Sequence, residues 1–192
     1  DNKPIKSKDS TRVWIYHKPD GLVTSHKDEK GRATVFDSLP PKMPRVISVG
    51  RLDLNSEGLL LLTNNGELSR YMELPSTGWE RTYRVRVLGH VNPEKLKKLE
   101  KGITVDGVKY GPIHAAFDAR IDEKKSANNW LKMTLTEGKN REIRKVLEAV
   151  GLSVNRLIRI SYGPFELGEV KKGEAVEVDP RSLKKIFKNF PL

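Results

Sequence analysis

Strand-like apolar patterns outnumber helical ones along this chain. From Arg81 to Gly89 the residues alternate: Tyr83, Val85 and Val87 point one way, Arg84, Arg86 and Leu88 the other. That two-residue period belongs to a strand with one buried face. Further strands are predicted at residues 13–17, 46–49, 59–63, 113–121, 130–136, 154–160 and 175–178. Asp106-Gly107, between Ile103-Thr104-Val105 and Val108-Lys109-Tyr110, is the turn of a hairpin. Residues 24–32 and 122–129 are polar enough to be loops.

Helical signals are fewer. Asn92-Pro93-Glu94 offers a capping side chain, a proline in the first turn and an acid at the positive end of the dipole; Leu96 and Leu99 supply the apolar stripe and Gly102 the stop. Ile143, Val146, Leu147 and Val150 fall at i, i+3, i+4 and i+7, which predicts a helix capped by Asn140 and closed by Gly151. Short helices are expected at 67–73 and 180–188. Helices arrive irregularly rather than after every strand. The expectation is therefore α+β: a largely antiparallel mixed sheet with flanking helices, in two lobes around a central cleft. A core of residues 12–188 would follow a tail or linker at 1–11.

Composition narrows the partner. The 192 residues carry 36 Lys and Arg against 25 acids, a net charge of +11, which favours nucleic acid over a membrane surface. The longest apolar run, Leu59 to Leu62, is far short of a bilayer span. There is no cysteine, and His17, His26, His90 and His114 show no ligand spacing, so no metal is expected. The cytoplasm is the default location and a monomer the default state.

Three segments could carry chemistry. Gly50-Arg51-Leu52-Asp53-Leu54-Asn55-Ser56-Glu57-Gly58 places two carboxylates in a glycine-bounded loop between apolar strands. Such a frame can hold a catalytic carboxylate firmly while exposing it, although an ordinary connecting loop would look alike. Residues 138–160 hold six basic residues (Lys139, Arg141, Arg144, Lys145, Arg156, Arg159) against two acids. Any one of these reads as a solvated charge, the cluster as a patch facing RNA. Tyr83 reads as a half-buried core tyrosine, or as a ring on which a base could stack.

Taken together these segments resemble the RsuA/RluB family of ribosomal RNA pseudouridine synthases, from about Val13 to Val178. Gly50 to Gly66, Gly-Arg-Leu-Asp-Leu-Asn-Ser-Glu-Gly-Leu-Leu-Leu-Leu-Thr-Asn-Asn-Gly, is similar to that family's active-site motif. Tyr16-His17-Lys18-Pro19-Asp20-Gly21 resembles its Lys-Pro motif, and Arg81-Thr82-Tyr83 its Lys-Thr-Tyr segment with Arg for Lys. Glu137-Gly138-Lys139-Asn140-Arg141-Glu142-Ile143-Arg144-Lys145 resembles its late basic motif, in a form closer to the large-subunit branch, as does Leu157-Ile158-Arg159 leading into Tyr162-Gly163-Pro164-Phe165.

The resemblance implies isomerisation of uridine to pseudouridine in ribosomal RNA, 23S by the branch, with no cofactor. Asp53 would attack the ribose or take a proton from it, Tyr83 would stack on the flipped base, and Arg144 would pair with Asp53. Arg51, Lys139, Asn140, Arg141, Lys145 and Arg159 would bind RNA. The partner would be large-subunit ribosomal RNA or a pre-ribosomal particle. Family members usually carry a small N-terminal S4 domain, which the dozen residues before this core are too few to form. A non-catalytic RNA-binding or ribosome-assembly module is the alternative, supported by charge and strand content. A metal-dependent nuclease ranks last for want of clustered ligands.

Overall fold

A computed structural model describes residues 10–118 and 128–192. The strands are β1 (Val13–Lys18), β2 (Ile47–Ser48), β3 (Ser56–Thr63), β4 (Arg81–Leu88), β5 (Ile103–Val105), β6 (Val108–Tyr110), β7 (Ile113–Phe117), β8 (Asn128–Leu135), β9 (Ser153–Tyr162), β10 (Phe165–Glu166) and β11 (Ala175–Glu177). The α-helices are α1 (Gly66–Glu73), α2 (Pro93–Lys98), α3 (Glu142–Ala149) and α4 (Pro180–Ile186). One sheet runs in the order β11-β1-β3-β9-β4-β8-β7, with β2 added on β3 and β10 on β9; β5 and β6 form a separate hairpin. Every pairing among the described strands is antiparallel except that of β3 with β9. The class is the expected α+β with a largely antiparallel mixed sheet.

The leucine run explains itself here. On β3, Leu59 and Leu61 join Val13, Met72, Leu183 and Phe187 in one apolar cluster, while Leu60 and Leu62 join Trp14, Tyr16, Val46 and Leu52 in another. A strand buried on both faces is apolar continuously rather than alternately. Over the other half of the sheet, Tyr83, Val85, Val87, Leu131 and Met133 pack against Leu96 and Leu99 of the α2 end and Ile143, Val146 and Leu147 of α3.

Several expected boundaries move. The strand predicted at 59–63 begins three residues earlier, because Gly58 lets β3 close on β9: a Cβ there would stand 2.7 Å from Arg159 N and closer still to its carbonyl oxygen. The strand predicted at 46–49 shrinks to Ile47–Ser48. Of the strand predicted at 113–121, the structure shows Ile113–Phe117; residues 119–127, which include most of the predicted loop 122–129, and residues 1–9 of the predicted tail lie outside the described residues. Asn65, Asn92 and Asp179 cap α1, α2 and α4 through their side chains. Asn140, however, does not cap α3. The chain enters that helix through Arg141, held in the left-handed region at φ 53°, and no side chain caps it. Instead the Glu142 carboxyl reaches back to accept the Lys139 N–H at 3.0 Å.

Candidate active site

The loop from Gly50 to Asn55, ahead of β3, is tied down almost carbonyl by carbonyl. Thr24 Oγ1 donates to Leu52 O at 2.9 Å and accepts the Leu52 N–H at 3.3 Å. The Asp53 carbonyl accepts the Ser56 N–H at 2.9 Å, and the Leu54 carbonyl accepts Gly21 N–H at 2.9 Å. Lys18, wholly buried, donates its ammonium to Leu54 O at 3.2 Å, Ser56 O at 2.7 Å and Pro19 O at 3.0 Å. Burial pulls the Lys18 pKa down to about 8, against the opposing pull of Asp20, Glu57 and Asp53. Arg144 donates to Asn55 O at 3.1 Å. At the other end of the loop, Glu73 accepts the Gly50 N–H; burial raises its carboxyl above the ordinary range despite that bond and nearby Arg81. The Leu52 side chain is buried, the Asp53 side chain 35% exposed. The backbone is thus fixed from both sides and the carboxylate left open.

Asp53 looks into a cavity of about 680 Å³, large enough for a nucleobase and its sugar. One wall is apolar and aromatic: Tyr83, Leu135, Ile143 and Leu157. Arg51, Lys139 and Arg141, with the neutral Asn140, give the cleft a basic side. Deeper in stand Arg81, Arg159 and Tyr162. Two guanidiniums lie over the Tyr162 ring, Arg81 at 4.7 Å and Arg159 at 5.0 Å, and Arg81 also donates to the Tyr162 hydroxyl at 2.8 Å.

The structure gathers Asp53, Tyr83, Arg51, Lys139, Asn140, Arg141 and Arg159 into this one cleft. Their arrangement differs from the expected one at three points. The cation beside Asp53 is Arg141, at 3.9 Å, rather than Arg144. Arg144 is bonded to the loop carbonyl of Asn55 and does not line the cleft; burial and then Arg141 lower its pKa while Asp53 and Asp20 raise it. Arg159 is no surface phosphate contact: it is 4% exposed, donates to Leu59 O at 2.8 Å, and its Nη2 is buried without a partner. Lys145 is exposed on α3 and does not line the cleft. Glu73, Arg81 and Tyr162 were not expected at the site, since only folding brings α1, β4 and the end of β9 together. For Lys18 the Lys-Pro pair was the available signal.

The sequence profile of the RNA pseudouridylate synthase family matches residues 12–149. An uncharacterised RNA pseudouridine synthase of Rickettsia bellii is 50% identical over 182 residues, 95% of this chain and 75% of the relative. A ribosomal large subunit pseudouridine synthase B of Yersinia pestis is 43% identical over 88% of this chain, which spans 52% of that protein. The fold is shared with a crystal structure of a pseudouridylate synthase, at TM-score 0.80 and 24% identity over 92% of this chain and 74% of that one. With half its residues identical to such a relative and the profile enclosing the Asp53 loop, this chain belongs to the RNA pseudouridylate synthase family and is an RNA pseudouridine synthase.

Proposed function

We propose that this enzyme isomerises a uridine of large-subunit (23S) ribosomal RNA and that Asp53 is its reacting carboxylate. The observation that carries the reading is the half-open Asp53 side chain on a loop with fixed carbonyls, facing a nucleoside-sized cavity with a cation 3.9 Å away. The large-subunit substrate is taken from similarity to the Yersinia pestis protein.

Two routes fit Asp53. In one, its oxygen attacks ribose C1′ while the bond to uracil N1 breaks and the electron pair leaves with the base. In the other, Asp53 takes the 2′ proton as that same bond breaks. The freed uracil turns; in the first route C5 bonds to C1′ as the Asp53–C1′ bond breaks, in the second C5 bonds to C1′ as Asp53 returns its proton to C2′, and in both the C5 proton departs and N1 takes up a proton, so atoms and charge balance without an added reagent. The Arg141 guanidinium faces the Asp53 carboxylate at 3.9 Å, and the Tyr83 ring supports the everted base. Flipping costs a few kcal/mol, which phosphate contacts from Arg51, Lys139, Asn140 and Arg141 offset.

The test is tritium release from RNA labelled at uracil C5. Asp53→Asn protein should release no label above background while still binding RNA. Release at the wild-type rate would remove Asp53 from the chemistry. Pseudouridine mapping in cells lacking the protein should show one large-subunit position reverting to uridine; an unchanged large-subunit map would refute that substrate.

A further inference from the structure

Arg159 carries a charge that the fold leaves unanswered. It stands on β9, 4% exposed, and lines the cleft. Of its five N–H groups, the one on Nε donates to Leu59 O at 2.8 Å, whereas Nη2 is buried with no hydrogen-bond partner among the described residues. No acid lies within 4 Å of the guanidinium among the described residues. The acids that line the cleft are engaged elsewhere. Asp53 faces Arg141, Glu137 faces Lys139, Glu142 accepts the Lys139 N–H, and Glu73 accepts the Gly50 N–H. The other guanidinium over the Tyr162 ring is spent as well, because Arg81 donates to the Thr136 carbonyl and the Tyr162 hydroxyl. Buried cations are ordinarily paired, so this one calls for a reason.

Its place in the sheet supplies one. Arg159 of β9 is the cross-strand partner of Tyr83 of β4, and partners across two strands stand on one face of a sheet. Leu157, two residues earlier on β9, shares that face and also lines the cleft. The guanidinium is therefore a neighbour of the ring on which the everted base would rest.

We propose, on the reading of Asp53 as the reacting group, that the Arg159 guanidinium receives the uracil as it leaves the ribose, donating to a carbonyl oxygen of the anionic base. Either route moves one negative charge across the cleft. Asp53 begins as a carboxylate and becomes an ester to C1′ or a protonated acid. The electron pair of the C1′–N1 bond leaves with the uracil and spreads from N1 onto the carbonyl oxygens. Arg141 faces this charge where it starts, 3.9 Å from the carboxylate, and Arg159 faces it where it arrives. Once C5 has bonded to C1′, the C5 proton has left and N1 has gained one, the base is neutral and Asp53 is a carboxylate again. The bond to Leu59 O and the Tyr162 ring, 5.0 Å away, hold the guanidinium in place beforehand, so little has to reorganise as charge develops. The contact is stronger to the anion than to the neutral nucleoside, and so favours the transition state over the bound substrate.

A phosphate of the RNA strand could also answer a free guanidinium, and the experiment separates the two. Single-turnover rate, RNA affinity and thermal unfolding are measured for the wild type, Arg159→Gln and Arg159→Lys. Arg159→Gln should lose roughly 100- to 1,000-fold in rate, the loss seen when one donor to a developing anion is removed, with RNA affinity unchanged. Arg159→Lys keeps the charge without the fork and should recover part of that rate. Weaker binding and a lower salt slope, with the rate on saturating RNA unchanged, would make Arg159 a phosphate contact and overturn the proposal. The second substrate is RNA with 5-fluorouridine at the target, its disappearance followed by mass spectrometry of digested nucleosides. Fluorine makes the base a better leaving anion, so cleavage depends less on the cation. The penalty of Arg159→Gln should then be about ten-fold smaller than on uridine; an equal penalty on both substrates would show a merely distorted cleft and equally refute the assignment. Wild-type protein alone provides a check that needs no variant to fold. The anion of 5-nitrouracil, at mildly alkaline pH, should compete with RNA more strongly than neutral uracil, and inhibition no stronger than that by uracil would count against Arg159. Label release by Asp53→Asn does not enter any of these ratios, so the two readings fail separately.

Discussion

Gly58 shows how much can depend on one missing methyl group. Its φ of 105° lies where L side chains rarely go, and a Cβ would meet the Arg159 backbone across the only parallel pairing among the described strands. That pairing joins the two halves of the sheet, and Arg159, anchored to Leu59 O, lines the cleft from the same place. Gly58→Ala therefore combines backbone strain with overpacking, each worth about 1–3 kcal/mol, and should destabilise the protein by at least about 2 kcal/mol. Urea unfolding followed by tryptophan fluorescence would measure it; a loss below 1 kcal/mol would mean that β3 and β9 can slide apart without cost. Lys18 works in the opposite sense. It is a buried cation kept because three carbonyls need it, and two of them, of Leu54 and Ser56, flank the residues that hold Asp53 in place.

At the scale of the element, the entry to α3 is where the chemistry and the backbone meet. Arg141 sits in the left-handed region, a conformation that costs arginine about 1–2 kcal/mol and that asparagine tolerates better. Arg141→Asn should therefore leave unfolding free energy within about 0.5 kcal/mol of wild type. It should nevertheless slow pseudouridine formation, because the cation 3.9 Å from Asp53 is gone. An unchanged rate in single-turnover assay would show that the carboxylate works unaided. This entry also marks the limit of what the residues disclosed in advance. Alternation at Tyr83-Val85-Val87, the Asp106-Gly107 turn and the cap at Asn92 are local signals, and β4, the β5–β6 hairpin and α2 follow them. The Asp53 loop and the Lys139–Arg141 rim were visible as motifs. Asn140 failed as a cap because the start of α3 is set by Glu142, Glu137 and Gly111, groups up to 31 residues apart that meet only in the folded chain. Arg81 with Tyr162, and Glu73 with Gly50, are contacts of the same kind.

For the whole molecule, the excess charge of +11 matters less than where cations are left without acids. On the sheet face away from the cleft, Arg156 and Lys172 both lie against Glu57, and Arg84 against Asp118. Burial alone would raise the Glu57 carboxyl, but Arg156 and Lys172 outweigh it and hold the group below its ordinary range. Those cations are committed to the fold. Around the cleft, exposed Arg51 has no acid within 4 Å among the described residues, and Arg141 faces the Asp53 carboxylate. The counterions released on binding should then come chiefly from the cleft rim. Each phosphate contact to a single strand contributes about 0.7 to the slope of log affinity against log salt concentration. Arg51→Ala should lower that slope by about 0.7 and weaken binding to all RNA sequences alike. Lys184→Ala removes an equally exposed charge from α4, whose Leu183 packs with Leu59 and Leu61 on the opposite face of the sheet, and should leave the slope unchanged. Equal effects from the two substitutions would mean that RNA follows the mean field of a basic protein rather than the cleft, and the route to Asp53 would have to be sought elsewhere on the surface.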